Sequence, residues 1–291
     1  MENNSSIALR LTGKKRDIGG FGVRRIIPVA ECRAVGSFVF LDHMGPAMLK
    51  VGEGMDVLPH PHIGLATVTY LYDGSIMHRD SLGWVQEICP GDVNLMTAGR
   101  GIVHSERSSE EARKTERAVN GLQMWVALPK EHEETAPAFS HTPQSGLPAI
   151  SGDGWQGRLV AGSLFGETSP VKTLSRYFFA DIRCAAGACV QFAPDYDEAA
   201  LYVVEGEIEV DGELVEAGTC AVLRKNPAVT LTARENSIIA VLGGDTMPEP
   251  RFIYWNFVST SRERIEQAKA DWKAQRFAGV PGDDSFTPLP D

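Results

Sequence analysis

The chain of 291 residues is 43% hydrophobic and carries 28 basic against 38 acidic residues, a formal net charge of −10. That length can bury a sizeable core in one large domain or two modest ones, and two are expected. The acidic balance, with no basic block longer than "GKKRD" at residues 13–17, argues against direct, charge-driven binding to nucleic acid.

The amino-terminal stretch "MENNSSIALRLTGKKRD" lacks the apolar run of a signal peptide, and nowhere do about 18 apolar residues run together. A soluble, cytoplasmic protein without membrane contact is therefore expected. Five cysteines, an odd number, fit reduced thiols in such a compartment. From Ile7 to Val258, period-2 patterning punctuated by Gly, Pro, Asp and Asn predicts a mostly β chain.

In "LPHPHIGLATVTYLYDG", residues 58–74, His60 and His62 stand one residue apart on an extended segment, so both project from the same face. Such a pair can share a metal, although it also occurs at ordinary exposed strand ends. The strand ends at Asp73-Gly74, and "MHRDSLG" follows, in which His78 is assigned with Arg79 and Asp80 to a long hairpin turn. Further on, "DVNLMTAGRGIVHSERS" presents His104 and Glu106, again two apart on one face. If the two strands neighbour each other antiparallel across a barrel, three imidazoles and one carboxylate converge. Arg100, between Gly99 and Gly101, is expected to fix a tight turn through its side chain. Met96, Met124 and Trp125 read as core or as the apolar mouth of a pocket, and His43, His132 and His141 as surface or packing residues.

The Gly-, Pro- and Ser-rich "HTPQSGLPAISGDGWQG", residues 141–157, predicts a break between domains. The expected boundaries are residues 1–142 for an amino-terminal metal-binding barrel, 143–157 for a linker, and 158–291 for a second barrel with a terminal helix. In "CAAGAC", Cys184 and Cys189 have no second cysteine pair or nearby histidine to complete a zinc site and read as small core residues. The segment "ALYVVEGEIEVDGELVEAGTCAVLRKN" from Ala200 repeats the unit that starts at Thr67, with Glu205-Gly206 and Gly218 standing for Asp73-Gly74 and Gly91. Short strands and turns of this kind suggest antiparallel sheets rolled into a barrel or jelly roll. Aligning Tyr70 with Tyr202 and Gly91 with Gly218 puts Phe192, Pro194, Leu231 and Ala233 where His60, His62, His104 and Glu106 stand, so the second copy lacks ligands. Last, "TSRERIEQAKADWKAQRF" predicts a surface helix over about Ser261 to Phe277, capped by Thr260 or Ser261, with Ile265, Ala268 and Trp272 on its apolar face.

The set of three imidazoles and one carboxylate suits one divalent metal per chain: Fe(II), Mn(II), Ni(II) or Cu(II) with about two positions open, or Zn(II) in a closed structural site. "HPHIGLATVTYLYDGSIMHRDSLG", "PGDVNLMTAGRGIVHSE", "GLQMWVALP" and "WNFVSTSRERIEQAKADW" together resemble a bacterial pirin of the cupin superfamily, over about Arg25 to Trp272. The resemblance implies an all-β fold of two tandem cupin barrels (double-stranded β-helix, or jelly roll) with a carboxy-terminal α-helix. It implies a single metal, Fe(II) as the expected one, in the amino-terminal barrel, held by His60, His62, His104 and Glu106. It further implies a dioxygenase that takes O2 and a quercetin-like flavonol or a similar enediol or hydroxy-ketone, with Glu106 doubling as the catalytic base for the flavonol hydroxyl. The family also implies an alternative, an iron-containing regulatory protein that modulates a protein partner, as a transcriptional co-regulator or a modulator of metabolic enzymes. One position departs from the pattern: Ala66 stands where many pirins carry an acid.

Overall fold

The computed structural model describes residues 5–18, 20–225 and 227–290. The chain divides into two compact units. One comprises Phe40–Pro143, Lys15–Arg25 and the chain from Pro248 onward; the other comprises Gln144–Met247, Ile26–Val39 and the amino-terminal stretch up to Lys14.

Among the described residues each unit is built on one seven-stranded and one four-stranded sheet, and the strand order is the same in both except for one edge of the large sheet, which is Ala138–Thr142 in the first unit and Ile7–Thr12 in the second. In the first unit the four-stranded sheet runs Asp56–His62, Ile102–Arg107, Ile76–Asp80, Val85–Ile88. In the second it runs Cys189–Phe192, Val229–Ala233, Glu207–Val210, Glu213–Glu216. Both sheets of a unit feed one core. Phe178, Leu201 and Val241 from the large sheet join Val190, Ile208 and Leu231 from the small one, and in the first unit Leu71 and Val119 join Ile76 and Ile88. This is the jelly-roll solution to closing sheets whose strands alternate inward and outward residues.

Two glycines fix the loops on which the histidines depend. Gly64 (φ +66) turns the chain between Asp56–His62 and Leu65–Asp73, and any Cβ there would strike the Val258 carbonyl. Gly99 (φ +53) begins the turn into Ile102–Arg107, and a Cβ there would strike the Thr135 carbonyl. The Arg100 side chain is exposed, and the turn is held instead by its backbone. Its N–H donates to the Thr135 carbonyl (2.9 Å) and its carbonyl accepts from Arg264 Nη2 (2.7 Å).

The termini are exchanged relative to the expected domains. Strand Ile7–Thr12 pairs with Thr219–Leu223 in the second unit, while the terminal helix belongs to the histidine-bearing unit. The stretch 143–157 is structured too: Ala149–Gly152 and Trp155–Ala161 form a hairpin at one edge of the second unit's large sheet. The helix runs Arg262–Lys273, capped by the Ser261 hydroxyl, which accepts from Arg264 N (3.2 Å). It stops short of Phe277 because Gln275 turns left-handed (φ 53). Ile265, Ala268 and Trp272 bury against Ile63, Val103 and Phe257, an apolar surface that the sequence alone does not assign to either barrel. The buried Glu133 carboxylate ties the segment down. It pairs with Arg251 (3.3 Å) and accepts from Ser259 Oγ (2.9 Å) and Thr260 N (2.9 Å). All five cysteines are free, with Cys184 buried and Cys189 exposed.

Candidate metal centre

The Ile102–Arg107 strand lies between Asp56–His62 on one side and Ile76–Asp80 on the other. His104 therefore has two cross-strand partners, His60 and Asp80, while Glu106 stands opposite His78. A register shift between His104 and Glu106 adds a residue on the histidine-pair strand, and His60 Nδ1 meets the Leu58 carbonyl at 2.8 Å. That bond places a proton on Nδ1 and leaves the His60 Nε2 lone pair free. One ligand nitrogen from each of His60, His62 and His104 lies within 4.8 Å of the other two, and Nε2 of His62 and of His104 approach to 3.1 Å. All three rings are buried.

Burial decides their charge. It pushes the His60 pKa down to about 4, opposed by the Leu58 carbonyl and helped by His78. His62 is held well below the ordinary histidine range by burial and by His60, with the Asn256 backbone acting the other way. His104 is driven the same way by burial and then by His60, His62 and His78. Three neutral imidazoles with converging lone pairs are the donor set of a divalent transition metal, and a neutral ring is the form that binds one. The residues thus fit a metal site. Among the described residues this is the one such group of three or more histidine, cysteine or acidic side chains.

Glu106 is buried on the same strand but lies outside that converging group. Its Oε1 is 3.4 Å from Thr69 Oγ1, whose one hydroxyl proton is shared between it and the nearer Gln123 Oε1 at 2.8 Å. Burial raises its carboxyl above the ordinary range, offset by His78 and by the Thr69 hydroxyl. Ala66 is buried between Val126 and Thr97 and brings no acid to the site. Trp125 forms an apolar wall, stacked on Phe40 (centroids 3.9 Å, 10°) and edge-on to His62 (5.2 Å, 78°). Met96 and Met124 are buried, and His43 packs inside, bonded to Asn120 Oδ1 (2.7 Å). His141 bonds Asn94 Oδ1 (2.8 Å), and His132 sits in a short helical turn after Pro129.

His78 is the residue that the sequence reading misplaced. It lies on a strand rather than in a turn, because Ile76, His78 and Asp80 alternate inward and the chain reverses only beyond Asp80. Its ring is buried, stacks on Phe139 (4.3 Å, 17°), and reaches Asp80 Oδ2 (3.0 Å) and His104 Nδ1 (3.4 Å). The signal was present: His78-x-Asp80 has the same two-residue spacing as the other two pairs.

In the second unit, Leu231 pairs with Val190 and Val210, and Ala233 with Ile208. By pairing, Val190, Phe192, Leu231 and Ala233 occupy the places of His60, His62, His104 and Glu106. Relative to the gapless alignment, the first two places are thus shifted by one strand repeat, because the connection after Phe192 runs to Glu198 whereas the sheet resumes at Leu65 soon after His62. All of these residues are buried and apolar.

The pirin family model matches residues 20–126, and the model of the pirin C-terminal cupin domain matches residues 179–278. A pirin-like protein of Caulobacter vibrioides is 46% identical over 291 residues, covering 98% of this chain and 100% of that protein. The crystal structure of a quercetin 2,3-dioxygenase from Acinetobacter baumannii superposes with a TM-score of 0.90 at 31% identity, covering 97% of this chain and 94% of that one. A bacterial pirin from Escherichia coli, solved in complex with nickel(II), shares the fold at a TM-score of 0.65 and 16% identity, covering 82% of this chain and 99% of that one.

Proposed function

The chain belongs to the pirin family, and from that premise we propose that it is a metal-dependent dioxygenase. Its substrate is a quercetin-like flavonol or a similar enediol or hydroxy-ketone, and O2 is the second reactant. One divalent metal, Fe(II), would be held by His60, His62 and His104, with Glu106 proposed as the fourth ligand. The observation that carries the reading is the convergence of three buried, neutral imidazoles beside an apolar wall. Bound there, the metal would supply Lewis acidity toward the substrate and O2.

The chain's own residues do the rest. The histidines, all three buried, would anchor the ion away from bulk water. Trp125, its face stacked on Phe40, lines the apolar side of the histidines, and the Thr69 hydroxyl lies beside the Glu106 carboxylate. Glu106, a buried carboxyl whose pKa burial raises, would be the group placed to receive the substrate hydroxyl proton.

Metal analysis of protein purified without chelator or affinity-tag nickel, followed by oxygen uptake with several flavonols, tests the reading. One iron per chain and flavonol-dependent uptake are expected. Fully iron-loaded protein that consumes no O2 would instead favour a regulatory role toward a protein partner. The exposed apolar residues Leu82 (45% exposed), Trp84 (47%) and Val85 (60%), on the hairpin beyond Asp80, would be the first surface to test.

A further inference from the structure

Resting on the metal-binding reading above, we propose that Asp80 and His78 are positioning residues that fix the tautomer of His104 and so keep its Nε2 lone pair turned toward the metal.

The argument follows hydrogen-bond direction from one end. Asp80 is fully buried, and its Oδ1 accepts the backbone N–H groups of Leu82 (2.9 Å) and Trp84 (3.1 Å). Oδ2 is left to His78 Nε2 at 3.0 Å. A carboxylate only accepts, so His78 Nε2 carries a proton, and in the neutral ring Nδ1 is then an acceptor. The partner of that Nδ1 is His104 Nδ1 at 3.4 Å, which must therefore carry the proton. His104 Nε2 is then the bare nitrogen, and it is the one that faces His62 Nε2 at 3.1 Å. Stacking on Phe139 fixes the plane of the His78 ring, so the chain has one geometry as well as one direction. Metal-binding histidines commonly donate their other N–H to such an outer partner, which sets orientation and basicity. At the matched positions of the second barrel stand Ile208 and Val210, so the pair occurs only where the three histidines do.

Asp80→Asn is the sharpest test, because it keeps the shape and reverses the chain. The Asn oxygen stays with the Leu82 and Trp84 N–H groups, so its NH2 faces His78 Nε2. That nitrogen must now accept, His78 Nδ1 donates, and the His104 proton is driven onto Nε2. In chelator-stripped protein reloaded with cobalt(II), competition with a chelator should show affinity about 10–100-fold lower than wild type, with a changed visible spectrum. The urea midpoint of the metal-free variant should change little.

His78→Phe keeps the stack on Phe139 but removes both nitrogens, and should cost less affinity than Asp80→Asn. The double variant should return to the level of His78→Phe alone, since no chain remains to reverse. A tautomer-sensitive 15N spectrum of metal-free wild type should show His104 protonated at Nδ1, a result that needs no variant to fold. Wild-type cobalt affinity and spectrum in Asp80→Asn, additive losses in the double variant, or His104 protonated at Nε2 would each overturn the inference while leaving the metal site intact. Wild-type protein that takes up no cobalt would overturn the metal reading itself, and this inference with it.

Discussion

In the two four-stranded sheets the same pairings carry opposite chemistry. The row His60–His104–Asp80 of one becomes Val190–Leu231–Val210 in the other, and Glu106–His78 becomes Ala233–Ile208. Both rows face inward, and both barrels close in the same strand order. Closing the jelly roll therefore does not require the polar interior: aliphatic side chains fill the same places. The histidine-bearing barrel accepts buried polar groups that are costly unless bonded or coordinated, and the trio of converging nitrogens reflects function rather than folding.

The largest way to break the comparison is to push the first barrel toward the second. His62→Ala should lower metal affinity by more than the 10–100-fold typical of losing an outer partner, because it removes a donor atom outright. Metal content per chain after dialysis against a weak chelator reads this directly, and unchanged stoichiometry would refute the assignment of His62.

Glu106→Gln sharpens the same contrast at the second row. Glutamine keeps an oxygen but loses the charge that offsets the metal and the basicity that receives a proton. Turnover per bound metal should fall by about 100-fold, the low end of general acid–base contributions, with a smaller loss of metal affinity. If activity only tracks occupancy, Glu106 is a ligand and nothing more.

From the other side, Leu231→Ala opens a hole in the second barrel where His104 stands in the first. Leu231 is 1% exposed, so the substitution should destabilise the chain by about 2–5 kcal/mol. Metal stoichiometry should remain at the wild-type value, and urea unfolding followed alongside metal content separates the two effects.

How much of this could be read from the chain depends on the range of the interaction that sets it. The repeat and the pairs His60/His62 and His104/Glu106 are local patterns of period two, and the sheets obey them. His78-x-Asp80 has that period too. Its place just beyond Gly74 suggests a turn, but only the residues beyond Asp80 turn. The exchanged termini rest on distant partners. Ile7–Thr12 finds its edge at Thr219–Leu223, and Trp272 finds Ile63 and Val103, neither of which a local pattern announces. The trio is legible; Glu106, expected to converge with it, is buried on the same strand but outside the trio, beyond the register shift near Leu58.

Acid gives the gentlest test of the two interiors. In metal-free protein, His60 titrates at about 4 instead of the ordinary 6.5, because burial disfavours its charged form. Above pH 6.5 neither the folded nor the unfolded chain holds that proton. Between 6.5 and about 4 the unfolded chain takes it up and the folded chain does not, so stability falls as pH falls. For His60 alone the slope approaches about 1.4 kcal/mol per pH unit and vanishes once the folded ring also protonates. His62 and His104, also held low, act in the same direction and continue to lower pH. Glu106 works against them: its raised carboxyl takes a proton in the folded chain first, which favours folding as pH falls toward the ordinary 4.5. The matched positions Val190, Phe192, Leu231 and Ala233 do not titrate. Urea midpoints of chelator-stripped protein should therefore drop between about pH 7 and 5, and hydrogen exchange should localise the loosening to the histidine-bearing unit. Equal loosening of both units, or a flat midpoint, would mean that the three rings are not held neutral by burial.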